Sequence, residues 1–409
     1  MKGSETKILF IFLFYIIYHN FGFAQWLPQS SGTLYPLGSV HFVDSQHGTT
    51  VGAAGTILHT TDGGTTWSSE SSNVTVDLFS VFFTDTDRGT AVGFNGTILH
   101  TTNGGINWLP QTSNTTNYLG SVFFRNVNLG TAVGDAGTIV RTTNGGMNWI
   151  AQISGTTRTL GSVFFTSDSV GFVVGSNGTI RRTTNAGATW LARTSNTTNF
   201  LSSVHFPNPD TGYIAGINGT ILRSTNAGST WSPETSGTTR YLTSIHFFNG
   251  LVGTAVGDSG LILRTTNGGI TWSAQASNIS DQLNCVYFTD RDTGTVVGSA
   301  GKILRTTNGG NISAGVSQDR IPDEFILFQN YPNPFNPLTI IHYQLPIVNY
   351  VSLKIFNTQG EEVATLVNEV QQPGLHEVRW NAHGFASGVY YCRIQSEKFT
   401  DARKLLLLK

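Results

Sequence analysis

The chain has 409 residues, too many for one core by the usual domain size of about 150, and 39% hydrophobic residues are enough to build more than one core. Charged residues are only 11%, aromatics 11% and the formal net charge -1, which excludes bulk disorder and leaves no field to attract nucleic acid or an anionic membrane. Abundant Gly and low charge suit strands and tight turns, and two cysteines, Cys285 and Cys392, are too few for a disulfide framework or a thiolate metal site.

Lys2 and Lys7 precede an apolar run from Ile8 to Tyr18, the length of a secretory h-region and too short for a bilayer of about 30 Å. Residues 1–24 therefore read as a signal peptide, with small residues at Gly22 and Ala24 and cleavage between Ala24 and Gln25. No later stretch reaches about 18 uninterrupted apolar residues, so an exported chain without a transmembrane helix is expected.

Tryptophans stand at Trp26, Trp67, Trp108, Trp149, Trp190, Trp231 and Trp272, every interval being 41 residues, and only Trp380 falls outside the series. Seven units without an insertion run from Trp26 to Ile312, a period that means a propeller blade or a solenoid turn. The third unit, WLPQTSNTTNYLGSVFFRNVNLGTAVGDAGTIVRTTNGGMN, has a segment after Trp and then the runs LGSVFF, GTAVG and GTIVR, separated by turn signals. Four short strands per unit, with no 3.6-residue periodicity, predict an all-β fold that opens with a seven-bladed β-propeller over residues 25–312. The phase predicts the closure: the first Trp lies at the mature terminus, while Ser313 stands where an eighth Trp is due. Trp26 to Gly32 is expected to supply the outer strand of the last blade, leaving no open ladder.

The turn before each Trp reads TTDGGTTW, TTNGGINW, TTNGGMNW, TTNAGATW, STNAGSTW and TTNGGITW, with a truncated TTNGGNIS at the end. Asn or Asp bonds the amides of its own turn, the second Gly accepts positive φ, and Trp covers the hairpin. Asn for Asp lowers the charge a cation would need and the loop is too short for an oxygen cage, so no metal is expected. The pattern is similar to the Asp-box, or bacterial neuraminidase repeat, with Asn replacing Asp in six of seven copies. Over whole units, LxSVxF followed by GxAVGxxGTILRTTNGGxTW resembles the photosystem II assembly and stability factor family across residues 26–312. That resemblance implies a seven-bladed propeller acting as a scaffold in assembly.

Residues 313–320 read as a linker, and IPDEFILFQNYPNPFNP, whose prolines exclude helix, as an extended lead-in. Six candidate strands follow: TIIHYQLP, YVSLKIFN, EEVATLV, LHEVRWN, GVYYCRIQ and FTDARKLLLLK. Alternation such as Val351, Leu353 and Ile355 on one face predicts a small immunoglobulin-like β-sandwich over residues 321–409. The segments Gln329 to Pro337, Ser387 to Ile394 and Lys404 to Lys409 resemble the beginning, middle and end of the C-terminal sorting domain of the type IX, or Por, secretion system. The resemblance implies passage through the periplasm, the secretion machinery as a partner of residues 321–409, and release or attachment at the outer-membrane surface.

In a chain of near-identical units a shared residue serves architecture, and a departure is a candidate for recognition. Departures fall on connections from outer to inner strand, at Tyr35, Asp77, Tyr118, Arg158, Phe200, Arg240, Tyr241 and Asp281. They also fall between the second and third strands, at Phe94, Asn95, Asp135, Ser176, Ile217 and Asp258. Both sets are expected on one face, around the mouth of the central channel, where aromatics and Arg suit binding; ordinary loop drift explains the same variation. His59, His100, Arg141, Arg182, Arg223, Arg264 and Arg305 share one position instead. This basic ring either binds an acidic partner, as the arginine-rich patch of the photosystem family implies, or lies between blades with its heads on local carbonyls and rings.

Glycoside hydrolysis needs two carboxylates about 5 to 9.5 Å apart, or a Tyr nucleophile backed by Glu. The propeller has only Glu70 and Glu234, both three residues after Trp on the outer strand. GxSxG and HExxH are absent, and His41, His205 and His246 are scattered along inner strands, where packing is the ordinary role. The expected protein is a secreted or surface-attached, non-catalytic binding module, monomeric and without cofactor, taking a protein or glycan ligand at the mouth. A surface glycan-binding protein or a sialidase-like glycoside hydrolase is the alternative.

Overall fold

The computed structural model describes residues 26–310, 325–330, 332–372, 374–397 and 399–408. They divide into two units, 26–310 and 325–408. The predicted leader, its Ala24/Gln25 cleavage position and the 313–320 linker lie outside the described residues.

In the first blade the inner strand Leu37–Phe42, second strand Gly48–Gly52, third strand Ile57–Thr60 and outer strand Ser68–Glu70 pair in that order, all antiparallel. Seven such four-stranded sheets occur, so the first unit is the expected seven-bladed propeller. The second strand is buried at all five positions in every blade, because neighbouring sheets cover both of its faces. The core is accordingly a set of layers between blades. One layer joins Val92 and Ile98 of blade 2 to Leu119, Val122, Phe124 and Trp149 of blade 3, at roughly 1.5 to 3 kcal/mol per fully buried large side chain.

Local rules set each blade. Gly48 opens the second strand beneath Phe42, whose ring occupies the space a Cβ would need, and Gly89 with Phe83 and Gly294 with Phe288 repeat the pair. The Trp of the hairpin stands edge-on to the same Phe, at 6.0 Å for Trp67 on Phe42 and 5.8 Å for Trp108 on Phe83. The hairpin hydrogen-bonds as its composition implies: the Thr60 hydroxyl donates to Asp62, which accepts from the Thr66 amide at 2.9 Å. In the Asn copies Asn103 accepts from the Thr101 hydroxyl and the Asn107 amide. Among these turns Asp62 stands out, its carboxyl lowered to about 2 by the backbone and side-chain hydrogen bonds of Thr66.

The ring closes at its termini. Leu27–Gln29 pairs with the third strand of the last blade, Leu27 opposite Arg305 and Gln29 opposite Ile303. Trp26 is fully buried, edge-on to Phe288 at 5.8 Å, and its indole donates to Gln275 of blade 6 at 2.9 Å. Nearer the axis, the hydroxyls of Ser39, Ser80, Ser121, Ser162, Ser203 and Ser244 each accept from an inner-strand amide of the following blade, at 3.2 to 3.4 Å. The seventh place is Cys285, whose thiol donates to the Val40 carbonyl at 3.7 Å across the seam.

The second unit is a sandwich of two sheets. Leu338–Leu345 lies between Ile326–Leu327 and Gly374–Asn381 in one; the other runs Glu362–Gln371, Asn349–Phe356, Gly388–Gln395, Thr400–Leu407. Val351, Leu353 and Ile355 face the core with Trp380, Cys392, Ile394 and Leu405, as the alternation predicts. The difference is a seventh strand: Ile326 and Leu327, read as part of an extended lead-in, pair with Gln344 and Tyr343.

Candidate functional site

Two families of loops share one face of the propeller. In each blade the residue after the second strand donates its amide to the carbonyl of the residue before the inner strand, as with Phe94 to Asp77, Asp135 to Tyr118, Ile217 to Phe200 and Asp258 to Tyr241, at 2.9 to 3.1 Å. The sequence-derived candidates on both families are thereby neighbours around the channel mouth. The middle residue of every second-to-third turn is left-handed, with φ near +55° at Asn95, Asn177 and Asn218, which explains why Asn recurs there.

The structure brings together a subset of these residues. The Tyr118 ring stands edge-on to Phe79 at 5.7 Å. Beside it the Thr159 hydroxyl donates to Asp135 at 2.6 Å. Burial first, then the Asp135 charge, raises the Tyr118 phenol. Burial and the nearby Asp258 and Tyr118 likewise raise Tyr241, although its hydrogen bond with Ser202 acts the other way. Phe200 lies over Gly161 of the preceding blade, where a Cβ would come within 2.9 Å of the ring. Phe94 keeps 48% of its surface exposed and Tyr35 55%. Other candidates are spent on loop structure: Asp77 accepts from the Ala54 amide at 2.9 Å, the exposed Arg158 donates to the Asn177 carbonyl, and Asp281 lies 3.9 Å from Lys302. Arg240 is exposed, and its carbonyl takes the Gly219 amide. Phe79 lies on an inner strand, outside the loop departures; the series Gly38, Phe79, Gly120, Gly161 carries its signal.

The basic ring lies on the third strands, not at the mouth. Arg141 and Arg264 are buried; each donates to a Thr on the neighbouring strand of its own blade, Thr131 and Thr254, and to a carbonyl of the next blade, Asp168 and Arg291. Each also lies over a ring of that next blade, Arg141 on Phe165 at 5.2 Å and Arg264 on Phe288 at 4.4 Å. His59 and His100 meet Thr49 and Thr90 at 3.1 and 3.0 Å, and burial lowers both imidazoles. Where Phe172 and Tyr213 replace that Thr, Arg182 and Arg223 stack over those rings instead. Arg305 reaches Thr65 of the first blade at 3.4 Å.

The inner-strand histidines, read as scattered, belong to one ring. His41, Phe82, Phe123, Phe164, His205, His246 and Tyr287 occupy one position in successive blades, and all seven neighbouring pairs touch at centroid distances of 4.3 to 5.1 Å. This aromatic annulus encircles the axis of the propeller. Desolvation lowers His41 to about 3, His205 to about 4, and His246 well below its usual value. His41 and His205 accept backbone amides of the next blade, whereas the Nδ1 of His246 has no partner. Among the described residues no group of three or more His, Cys, Asp or Glu is placed to hold a metal.

Seven Asp-box-like blades closed by the N-terminal strand, an aromatic mouth and a following β-sandwich define a two-unit propeller of the binding-scaffold type. The chain belongs to the photosynthesis system II assembly factor YCF48 family, whose model matches residues 23–163, 155–235 and 194–276. Residues 329–408 match the secretion system C-terminal sorting domain, the mark of a protein destined for secretion or surface attachment. Among solved structures, YCF48 bound to D1 peptide is 21% identical at a TM-score of 0.60, covering 69% of this chain and 97% of that one. YCF48 from Cyanidioschyzon merolae is 22% identical at 0.59, with 69% and 98% covered. The WD40 propeller domain of Doa1 is 12% identical at 0.58, covering 69% of this chain and 97% of its own. At these identities the likeness is one of fold. No curated protein matches the chain.

Proposed function

We propose that this protein is an exported, non-catalytic propeller that holds a peptide segment of a partner protein at its axial mouth. The observation that carries the reading is the set of aromatic side chains on the mouth loops and inner strands: Tyr118 against Phe79, Tyr241 near enough to act on Tyr118, and Phe200 over Gly161. Rigid aromatic rings at a concave centre supply contact area at little entropic cost. The likeness to a YCF48 structure bound to D1 peptide supports a peptide as ligand class. The sorting domain supports an encounter at the cell surface or beyond it, with a partner from the envelope or the surroundings rather than from a photosystem. The basic ring offers an acidic partner little: Arg141, Arg264 and Arg305 reach the next blade, while Arg182 and Arg223 lie over rings, and His59 and His100 meet Thr residues, of their own blades.

The test is a crosslinking pull-down from the native envelope with the chain and with its Tyr118→Ala/Phe200→Ala/Tyr241→Ala variant. Loss of the crosslinked partner in the variant, at unchanged melting temperature, is the expected result; equal recovery refutes the mouth as the site. Turnover of aryl glycosides that disappears in Asp135→Asn or Asp258→Asn would overturn the non-catalytic reading.

A further inference from the structure

The geometry points to a second ligand site: a groove at the seam of blades 7 and 1 that binds a neutral saccharide chain. It holds about 560 Å³ between the connection that enters blade 1, Ser31 to Tyr35, and the outer strand of that blade with its exit, Ser69 to Thr75. The mouth aromatics Tyr118, Phe200 and Tyr241 do not line it.

The same groove recurs one blade on, which allows the seam copy to be compared with its siblings. At the position of Tyr35 the other units carry Val76, Asn117, Arg158, Asn199, Arg240 and Asp281; at the position of Glu70 they carry Gln29, Gln111, Gln152, Arg193, Glu234 and Gln275. An exposed aromatic ring and a carboxylate therefore meet in one groove, the seam copy. Trp67 lines it too and is half-buried, whereas its counterpart Trp108 is buried.

Glu70 is the informative departure. Where the residue is Gln275, its amide donates to the Gly309 carbonyl of the next blade at 2.7 Å and accepts from the Trp26 indole; Gln152 makes the same pair of contacts with Ala186 and Trp190. A carboxylate cannot donate the first of these bonds; the indole nitrogen of Trp108, which faces the Glu70 blade, has no partner, and those of Trp67 and Trp149, opposite Gln29 and Gln111, have none either. Glu234, the other acidic copy, lies 4.0 Å from Arg223. Among the described residues Glu70 forms no ion pair within 4.0 Å; its charge acts on His59, the counterpart of Arg223, and its hydrogen bond is a long one, 3.4 Å from the Ser68 hydroxyl. Glu70 thus brings a charge into the groove beside Tyr35, at a position where four sibling units carry a neutral amide.

The chemistry selects the ligand. Aromatic faces take the apolar C–H face of a pyranose, a half-buried carboxylate accepts from adjacent ring hydroxyls, and flanking Ser and Thr hydroxyls with the Asn73 amide both donate and accept. No Lys or Arg lines the groove, and Glu70 would repel an anionic sugar.

The experiment titrates the purified chain with maltohexaose, cellohexaose, xylohexaose and mannohexaose, followed by tryptophan fluorescence and calorimetry. Saturable binding of at least one probe is expected, weakened about tenfold or more by Glu70→Gln and by Tyr35→Ala. Glu70→Gln restores the residue that four other units carry, so its melting temperature should hold or rise. The triple mouth variant should bind the probe unchanged, which separates this site from the peptide reading. Binding of none of the four probes, or wild-type affinity in Glu70→Gln, overturns the proposal.

Discussion

At the scale of single residues, the seven-fold register turns one position into a ring, and its chemistry multiplies. The annulus places three imidazoles among four other aromatic rings, with Arg264 the one cation acting on His246 and no carboxylate against any of the three. The sign follows from proton binding. The unfolded chain takes up protons near 6.5, the folded rings only at about 4 for His205 and about 3 for His41, so stability is whole above 6.5 and declines as pH falls toward those values. Each ring can contribute up to about 1.4 kcal/mol per pH unit in that window, less where it keeps contact with solvent. The replacement His205→Phe/His246→Phe, which copies the residue of three sibling blades, should flatten the loss of urea stability between pH 6.5 and 4.5; an unchanged slope would place the acid sensitivity elsewhere. Arg264 makes a related case, since its head is buried between Thr254, a carbonyl of the next blade and the Phe288 ring. Arg264→Ala should lower stability by about 2 to 4 kcal/mol in urea melts, because the buried acceptors lose their donor along with the packed stem. Partner capture at the mouth should survive in the folded fraction; selective loss of capture without loss of stability would make the ring a binding element instead.

At the scale of elements, closure is the step that carries most consequence. Leu27–Gln29 is three residues long, yet it completes a sheet, seats Trp26 against Phe288 and spares the last blade an open ladder. Trp26→Ala should cost about 3 to 5 kcal/mol, the range for deleting a buried aromatic, and removal of residues 26 to 32 should lower the melting temperature further. Calorimetry that shows the same melt with and without the segment would mean the ladder closes some other way. This element is legible in the sequence, because phase is arithmetic: the repeat opens on a Trp and its last unit has no Trp after it. The mouth was legible in part. Loop departures located Tyr118, Phe200 and Tyr241, but contacts such as Phe79 on Tyr118 join different blades, and a unit read alone does not reveal them. The annulus escaped for the same physical reason: one His on an inner strand is an ordinary packed residue, and only the ring of seven gives the position its meaning. Ile326–Leu327 escaped because two residues carry no periodicity.

At the scale of the whole molecule, near-identity of the blades makes stability a property of neighbours and function a property of differences. Each blade carries the same internal Trp–Phe pair, and blades 1 to 6 each meet the next through the same layers and the same Ser-to-amide bond, so these interfaces are architecturally equivalent. At the seam the sheet is completed by Leu27–Gln29 from the start of the propeller, Cys285 substitutes for Ser in the inner ring, and the groove beside it carries Tyr35 and Glu70. A chain rewritten in the order 67–312, 26–66, 313–409 tests this directly, since Asn311 and Ile312 then fill the two places before Trp26 that precede every other Trp. Ser68–Glu70 would become the closing strand of blade 1, and each interface, the mouth and both proposed sites would keep their residues. If interfaces are equivalent, the rearranged propeller should melt within about 4 °C of the native order, the shift that about 1 kcal/mol produces in a domain of this size, and should capture the same partner. A rearranged chain that fails to fold, while its blades and contacts are unchanged on paper, would show that the blade 7 seam holds something the other interfaces lack, with Cys285 and Trp26 the first residues to exchange.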